Sequence, residues 1–199
     1  MFTLIRNNVF RWETPFPQNN QNLVGHLILE DSKCILIDPP CVPGLVESVK
    51  RLGVPVSIIL TSQNHTRGTA FIASKTGASV YLPEQDQRAV EPTEQLAVKE
   101  IKKFEKYTEG EILGLKAFKD FFDFALLTKA GELLVSDNAR GSADGRLLLW
   151  PESMDPPGPP EAKIHNEFKQ LLKKTNAKSL LAGHGYDIIG NLQTLAEKL

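Results

Sequence analysis

Thr61-Ser62-Gln63-Asn64-His65-Thr66-Arg67-Gly68-Thr69 is a polar nonapeptide set between two apolar segments. Before it, residues 54–60 (Val-Pro-Val-Ser-Ile-Ile-Leu) form a short β-branched run, the pattern of a buried strand. After it, residues 70–76 suit a short helix, and Gly77 stops that helix because glycine accepts the left-handed cap conformation. Residues 78–82 then read as another strand, ended by Pro83. The nonapeptide is therefore a strand-to-helix loop at the carboxyl end of a buried strand, where open α/β sheets place their chemistry.

Three further stretches end predicted strands on reactive side chains. Residues 22–29 and 34–39 (Cys-Ile-Leu-Ile-Asp-Pro) read as a hairpin ending at Asp38. Residues 133–139 (Leu-Leu-Val-Ser-Asp-Asn-Ala) deliver Asp137, and residues 180–185 (Leu-Leu-Ala-Gly-His-Gly) deliver His184. Residues 27–38 and 126–137 echo one another: each is an apolar strand, a polar turn and a second apolar strand ending in aspartate.

In that order the four landmarks resemble the metallo-β-lactamase superfamily, and the resemblance covers most of the chain. It implies an α/β (α+β) architecture, a four-layer αββα sandwich, as a single domain over residues 1–199. It also implies hydrolysis of an ester, thioester, amide or similar bond by a hydroxide held on two zinc ions. Family members carry Thr-His-x-His-x-Asp-His-x-Gly in the first loop. Here Thr61 matches, but Ser62 and Asn64 stand at the first two histidines, Thr66 at the aspartate and Arg67 at the last histidine. His65 falls on a position that is normally not a ligand. A further family histidine ahead of the bridging aspartate is missing outright, because no histidine occurs between His65 and His165. Residues 115–127 carry hydrophobic bulk there instead.

Each zinc takes about three protein ligands plus water. This chain matches only Asp137, in the bridging position, and His184. A standard dinuclear centre is therefore not expected. A guanidinium stays protonated and cannot ligate a metal, but it can set a positive charge against a carboxylate. Arg67 is thus expected to replace the lost dication and to pair with Asp137. Three readings stay open. One is a hydrolase with a non-standard site of His65, Arg67, Asp137 and His184, metal-free or with one weakly bound divalent metal such as zinc. Another is an inactive family member that binds a small molecule or a partner protein in the old cleft. The last is a mononuclear site in which His65 joins Asp137 and His184. Structural roles compete at every position: a loop brace for His65, a backbone cap for Asp137, and for Asp38 a hydrogen bond to the 61–68 loop. No nucleophile elbow surrounds Ser62, Ser136 or Ser142.

Composition narrows the partners. A chain of 199 residues with 41% hydrophobic and 24% charged residues is ordinary for a globular domain. A net charge of −1 gives no field to draw it to nucleic acid or an anionic membrane. The lysine-rich stretches 99–106 and 169–178 interleave apolar residues at helical spacing, as solvated amphipathic faces do. No apolar run approaches the ~20 residues of a membrane span, and residues 1–12 lack a hydrophobic signal core, so a cytoplasmic location is expected. Cys34 and Cys41 are expected as free thiols. Residues 93–107 read as a helix capped by Thr93, residues 155–160 (Asp-Pro-Pro-Gly-Pro-Pro) as a rigid loop, and residues 161–175 and 191–199 as helices.

Overall fold

The structure is a computed structural model and describes residues 2–16, 21–30, 32–83, 101–104, 110–119 and 124–199. The chain divides into two compact units, one of residues 1–14 and 24–106, the other of residues 15–23 and 107–199.

The first unit holds a seven-stranded sheet in the order β1 (Thr3–Arg6), β2 (Val9–Pro15), β3 (Asn22–Glu30), β4 (Lys33–Ile37), β5 (Val56–Ile59), β6 (Ser79–Pro83), β7 (Ile101–Phe104). β3 and β4 form the expected antiparallel hairpin, and β4 to β7 run parallel. Parallel neighbours need crossovers. Here α1 (Leu45–Lys50) links β4 to β5 and α2 (Thr69–Thr76) links β5 to β6. Alternate strand residues, Leu36 with Ile58, Leu60, Val80 and Leu82, share a core with Leu45, Val49 and Ile72 of the helices. The intervening Ile35 and Ile59 are also fully buried, as central parallel strands require. Each such side chain contributes roughly 1.5–3 kcal/mol of burial, so this core holds the carboxyl ends of β4 and β5 rigidly. α2 ends on Gly77 at φ 74°, as its sequence predicts.

The second unit holds a five-stranded sheet in the order β14 (Ser179–Ala182), β11 (Glu132–Val135), β10 (Phe124–Leu127), β9 (Leu115–Lys119), β8 (Gly110–Ile112). Its strands alternate direction from β8 to β11, and β14 then pairs parallel to β11. β12 (Ala139–Gly141) and β13 (Leu147–Leu149) make a separate hairpin around the Asp144-Gly145 turn. α3 (Ala162–Thr175) places Ile164, Phe168, Leu171, Leu172 and Thr175 on one face, the spacing of an amphipathic helix. That face packs with Leu133, Val135 and Leu180 of the sheet. α3 stops at Asn176, whose φ of 51° is the left-handed cap. α4 (Leu192–Ala196) is shorter than its expected span.

One expectation is overturned. Ile101–Phe104, read as part of a helix, is the strand β7, registered on β6 with Val80 opposite Ile101. The edge of β6 presents unpaired amides and carbonyls, and satisfying them outweighs the helical spacing of the local sequence. Residues 93–100 and 105–107 of that expected helix lie outside the described residues. β1 and β2 are an addition; the Asn7-Asn8 turn between them, with Asn7 at φ 36°, was their only local signal. Among the described residues no helix is long and apolar enough to cross a membrane. Both cysteines are free, and burial pushes the Cys34 thiol up to about 12.

Candidate functional site

Register decides which side chains meet at the strand ends of the first unit. β4 and β5 pair with Ile37 opposite Ile59, and the Asp38 amide continues the ladder to the Ile59 carbonyl at 3.0 Å. Asp38 therefore faces the start of the 61–68 loop. Its Oδ1 accepts from the Thr61 amide at 2.8 Å, and its Oδ2 accepts from Thr61 Oγ1 at 2.5 Å. His65 Nδ1 also meets Oδ2, at 2.8 Å. Asp38 and His65 are each only 2% exposed. Burial by itself would raise the Asp38 pKa. The charge and hydrogen bond of His65, the charge of Arg67 and the Thr61 hydroxyl outweigh it and hold the carboxyl below the usual range.

Ser62, Asn64 and Arg67, the positions that the resemblance sets against histidines, differ in their surroundings. Ser62 is the N-cap of a short 3-10 turn, Gln63–His65, and its Oγ accepts from the Asn64 amide at 3.2 Å. Asn64 itself is exposed. Arg67 sits at φ 41° and donates from Nη1 to the carbonyls of Val24 (2.6 Å) and Asp38 (2.9 Å). Asp38 likewise has a positive φ, 45°. Left-handed backbone at two non-glycine residues costs of order 1–3 kcal/mol each and persists only where surrounding contacts over-determine it. Gly68 is required beside them, because a Cβ there would stand 2.3 Å from Cys41 Cβ.

In the second unit the same logic acts on β11 and β14. Val135 lies opposite Ala182 in a parallel register. Two residues further along each strand stand Asp137 and His184, and Gly183 ties the loops by donating to Val135 O at 3.0 Å. Asp137 Oδ1 and His184 Nε2 are 3.2 Å apart, with side chains 32% and 13% exposed. His184 Nδ1 meets the Asn22 carbonyl at 3.1 Å. A carbonyl only accepts, so Nδ1 carries a hydrogen. Nε2 then turns a lone pair toward a carboxylate oxygen unless something positive stands there.

Neighbouring loops brace the pair. Ser153 Oγ donates to the Asp137 carbonyl at 2.8 Å, and Arg140 Nε donates to the Ser153 carbonyl at 2.8 Å. The Arg140 side chain crosses Gly185, where a Cβ would approach its Cδ to 2.9 Å; Gly185 is also at φ +68°. Both demands explain the glycine after His184. Burial lowers the Arg140 pKa while the charge of Asp155 raises it. Arg140, Ser153 and Asn22 carried no signal in the sequence: Asn22 acts through its backbone, and the other two meet only once the loops fold. His26 is buried in β3, and His165 pairs with Glu152 at 3.2 Å.

No family model matches the chain, and no curated protein matches it. Solved structures do. The metallo-β-lactamase DIM-1 superposes with a TM-score of 0.72 over 100% of this chain and 96% of its own, at 13% identity. The metallo-β-lactamase FIM-1 from Pseudomonas aeruginosa, in its mono-zinc form, gives 0.70 over 100% and 95%, at 15% identity. A metallo-β-lactamase from Hirschia baltica gives 0.70 over 99% and 94%, at 12% identity. The chain has the metallo-β-lactamase fold, as the four landmarks implied.

Proposed function

We propose that this chain is a hydrolase on the metallo-β-lactamase fold, with Asp137 and His184 at its centre and no dinuclear metal site. The observation that carries the reading is the Asp137–His184 pair, a carboxylate oxygen and an imidazole nitrogen 3.2 Å apart at two neighbouring strand ends. Imidazole nitrogen and carboxylate oxygen are the donors a zinc ion takes, each at about 2.0–2.2 Å, so the pair fits one divalent ion. A second ion lacks its ligands: Ser62 caps a 3-10 turn and Asn64 faces solvent.

A bound ion would lower the pKa of its water and polarise the scissile carbonyl. The chain's own residues do the rest. Asn22 holds the His184 ring with Nε2 toward Asp137, Ser153 fixes the Asp137 loop, and Arg140 adds a positive charge beside Gly185. Without an ion, His184, held beside Asp137, is the group that would exchange protons with an attacking water. The contacts described for His65 and Arg67 are with the Asp38 corner of their own unit.

The test combines elemental analysis of the dialysed protein with a panel of simple esters and thioesters. Up to one zinc per chain, and turnover abolished in both His184→Ala and Asp137→Asn, are the expected results. Two ions per chain, or turnover indifferent to both substitutions, overturns the proposal. Neither metal nor turnover would leave the fold serving as a binding module.

A further inference from the structure

We propose that Asp38 is a positioning residue whose carboxylate dictates which nitrogen of His65 carries the proton. The inference deepens the hydrolase reading and rests on it only for its kinetic arm. Asp38 receives three donors: the Thr61 amide on Oδ1, and Thr61 Oγ1 and His65 Nδ1 on Oδ2. An ionised carboxylate can only accept, and this one is kept ionised by the groups around it. The contact at 2.8 Å is therefore Nδ1–H donating to Oδ2, and in the neutral ring the lone pair is on Nε2.

A brace to a hydroxyl would need no such commitment, because a hydroxyl donates or accepts and either tautomer of a neutral imidazole can meet it. Here the commitment is built in from several sides. The Ile59 carbonyl fixes the Asp38 amide, and Arg67 grips the Asp38 carbonyl from a left-handed backbone. The carboxylate that results has no rotational freedom left, and the ring it faces sits at the end of a capped 3-10 turn. A histidine whose one nitrogen is spent on a buried carboxylate is the arrangement by which proteins prepare the other nitrogen for chemistry.

Asparagine at this position reverses the pattern while keeping the shape. The Thr61 amide can only donate, so the single oxygen of Asn must take the Oδ1 place. The amide NH2 then faces His65 Nδ1, which must give up its hydrogen, and the proton moves to Nε2. Nitrogen-15 correlation spectra of the histidine rings, recorded on the wild type and on Asp38→Asn at one pH high enough for the His65 ring to be neutral in both, read this directly. The expected result is a hydrogen on His65 Nδ1 in the wild type and on Nε2 in Asp38→Asn. Thr61→Val, which removes a hydroxyl but leaves the carboxylate, should keep the wild-type pattern. A wild-type His65 with a bare Nδ1, or one protonation pattern shared by the wild type and Asp38→Asn, overturns the inference. The wild-type spectrum decides on its own if Asp38→Asn does not fold. In the kinetic arm, Asp38→Asn should lower ester turnover roughly 10–100-fold. Failure of the hydrolase reading shows as no turnover in the wild type; failure of this inference shows as an unmoved tautomer.

Discussion

At the ends of β4 and β5 an aspartate, Asp38, is 2% exposed, and both of its oxygens accept hydrogen bonds from neighbours. At the ends of β11 and β14 another aspartate, Asp137, has a side chain 32% exposed and meets a histidine whose lone pair points toward it. Both corners arise from the same device, a parallel strand pair whose register sets residues beyond the last rung side by side. Both deliver an acid and a histidine. The difference lies in the donors. Thr61 and His65 bring hydrogens to Asp38, so its negative charge is compensated by the protein itself. Against Asp137, His184 turns its Nε2, having committed its Nδ1 hydrogen to a backbone carbonyl. A fully buried acid–histidine corner holds a loop and orients a ring; the more exposed one is where the proposed cation would enter.

The comparison breaks most visibly if Asp38→Ala is tolerated. Removing a buried carboxylate that satisfies three donors should cost about 3–5 kcal/mol, read by urea unfolding; a loss under about 1 kcal/mol would make the first corner no tighter than the second. Acid should expose the same asymmetry. The Asp38 carboxyl is depressed in the folded state, so the unfolded chain takes up its proton first as the pH falls. Its contribution is present above the ordinary aspartate value of about 3.9 and is lost as the pH drops through the lower folded value. Unfolding measured across that acidic window should show Asp38→Asn with the flatter dependence. Arg67→Ala removes a guanidinium that holds two carbonyls and shares the charge of the corner. About 2 kcal/mol is expected, and an unchanged denaturation midpoint would mean that the left-handed loop stands without it. The smallest stability effect belongs to the second corner. His184→Ala and Asp137→Asn should stay within about 1 kcal/mol of the wild type while abolishing zinc retention and turnover. A large destabilisation there would make that pair structural too.

Local sequence carried much of this. The hairpin ending at Asp38, the loop ending at Gly68, the Gly-His-Gly turn and the proline loop before α3 were all legible. Each depends on short-range rules, such as side-chain alternation along a strand, glycine at a left-handed cap, and the missing amide of proline. The same locality explains the helix that was expected over residues 101–104. Ile-Lys-Lys-Phe satisfies a helical spacing, and nothing within those residues reports the open edge of β6 that recruits them as β7.

What the sequence determined by itself is which strands end in acids and histidines, and that serine, asparagine and arginine stand at positions 62, 64 and 67 of the first loop. Residue type fixes donor chemistry, and no folding can make a guanidinium or an exposed amide into an imidazole. Only the tertiary structure decided which of these groups meet. Asp137 and His184 become neighbours because β14, far along the chain, docks parallel to β11 with Val135 opposite Ala182. His65 spends its Nδ1 on Asp38 because β4 and β5 pair with Ile37 opposite Ile59. Long-range register is set by burying whole strand faces and by satisfying every backbone amide, and neither quantity is written in the few residues around a reactive side chain.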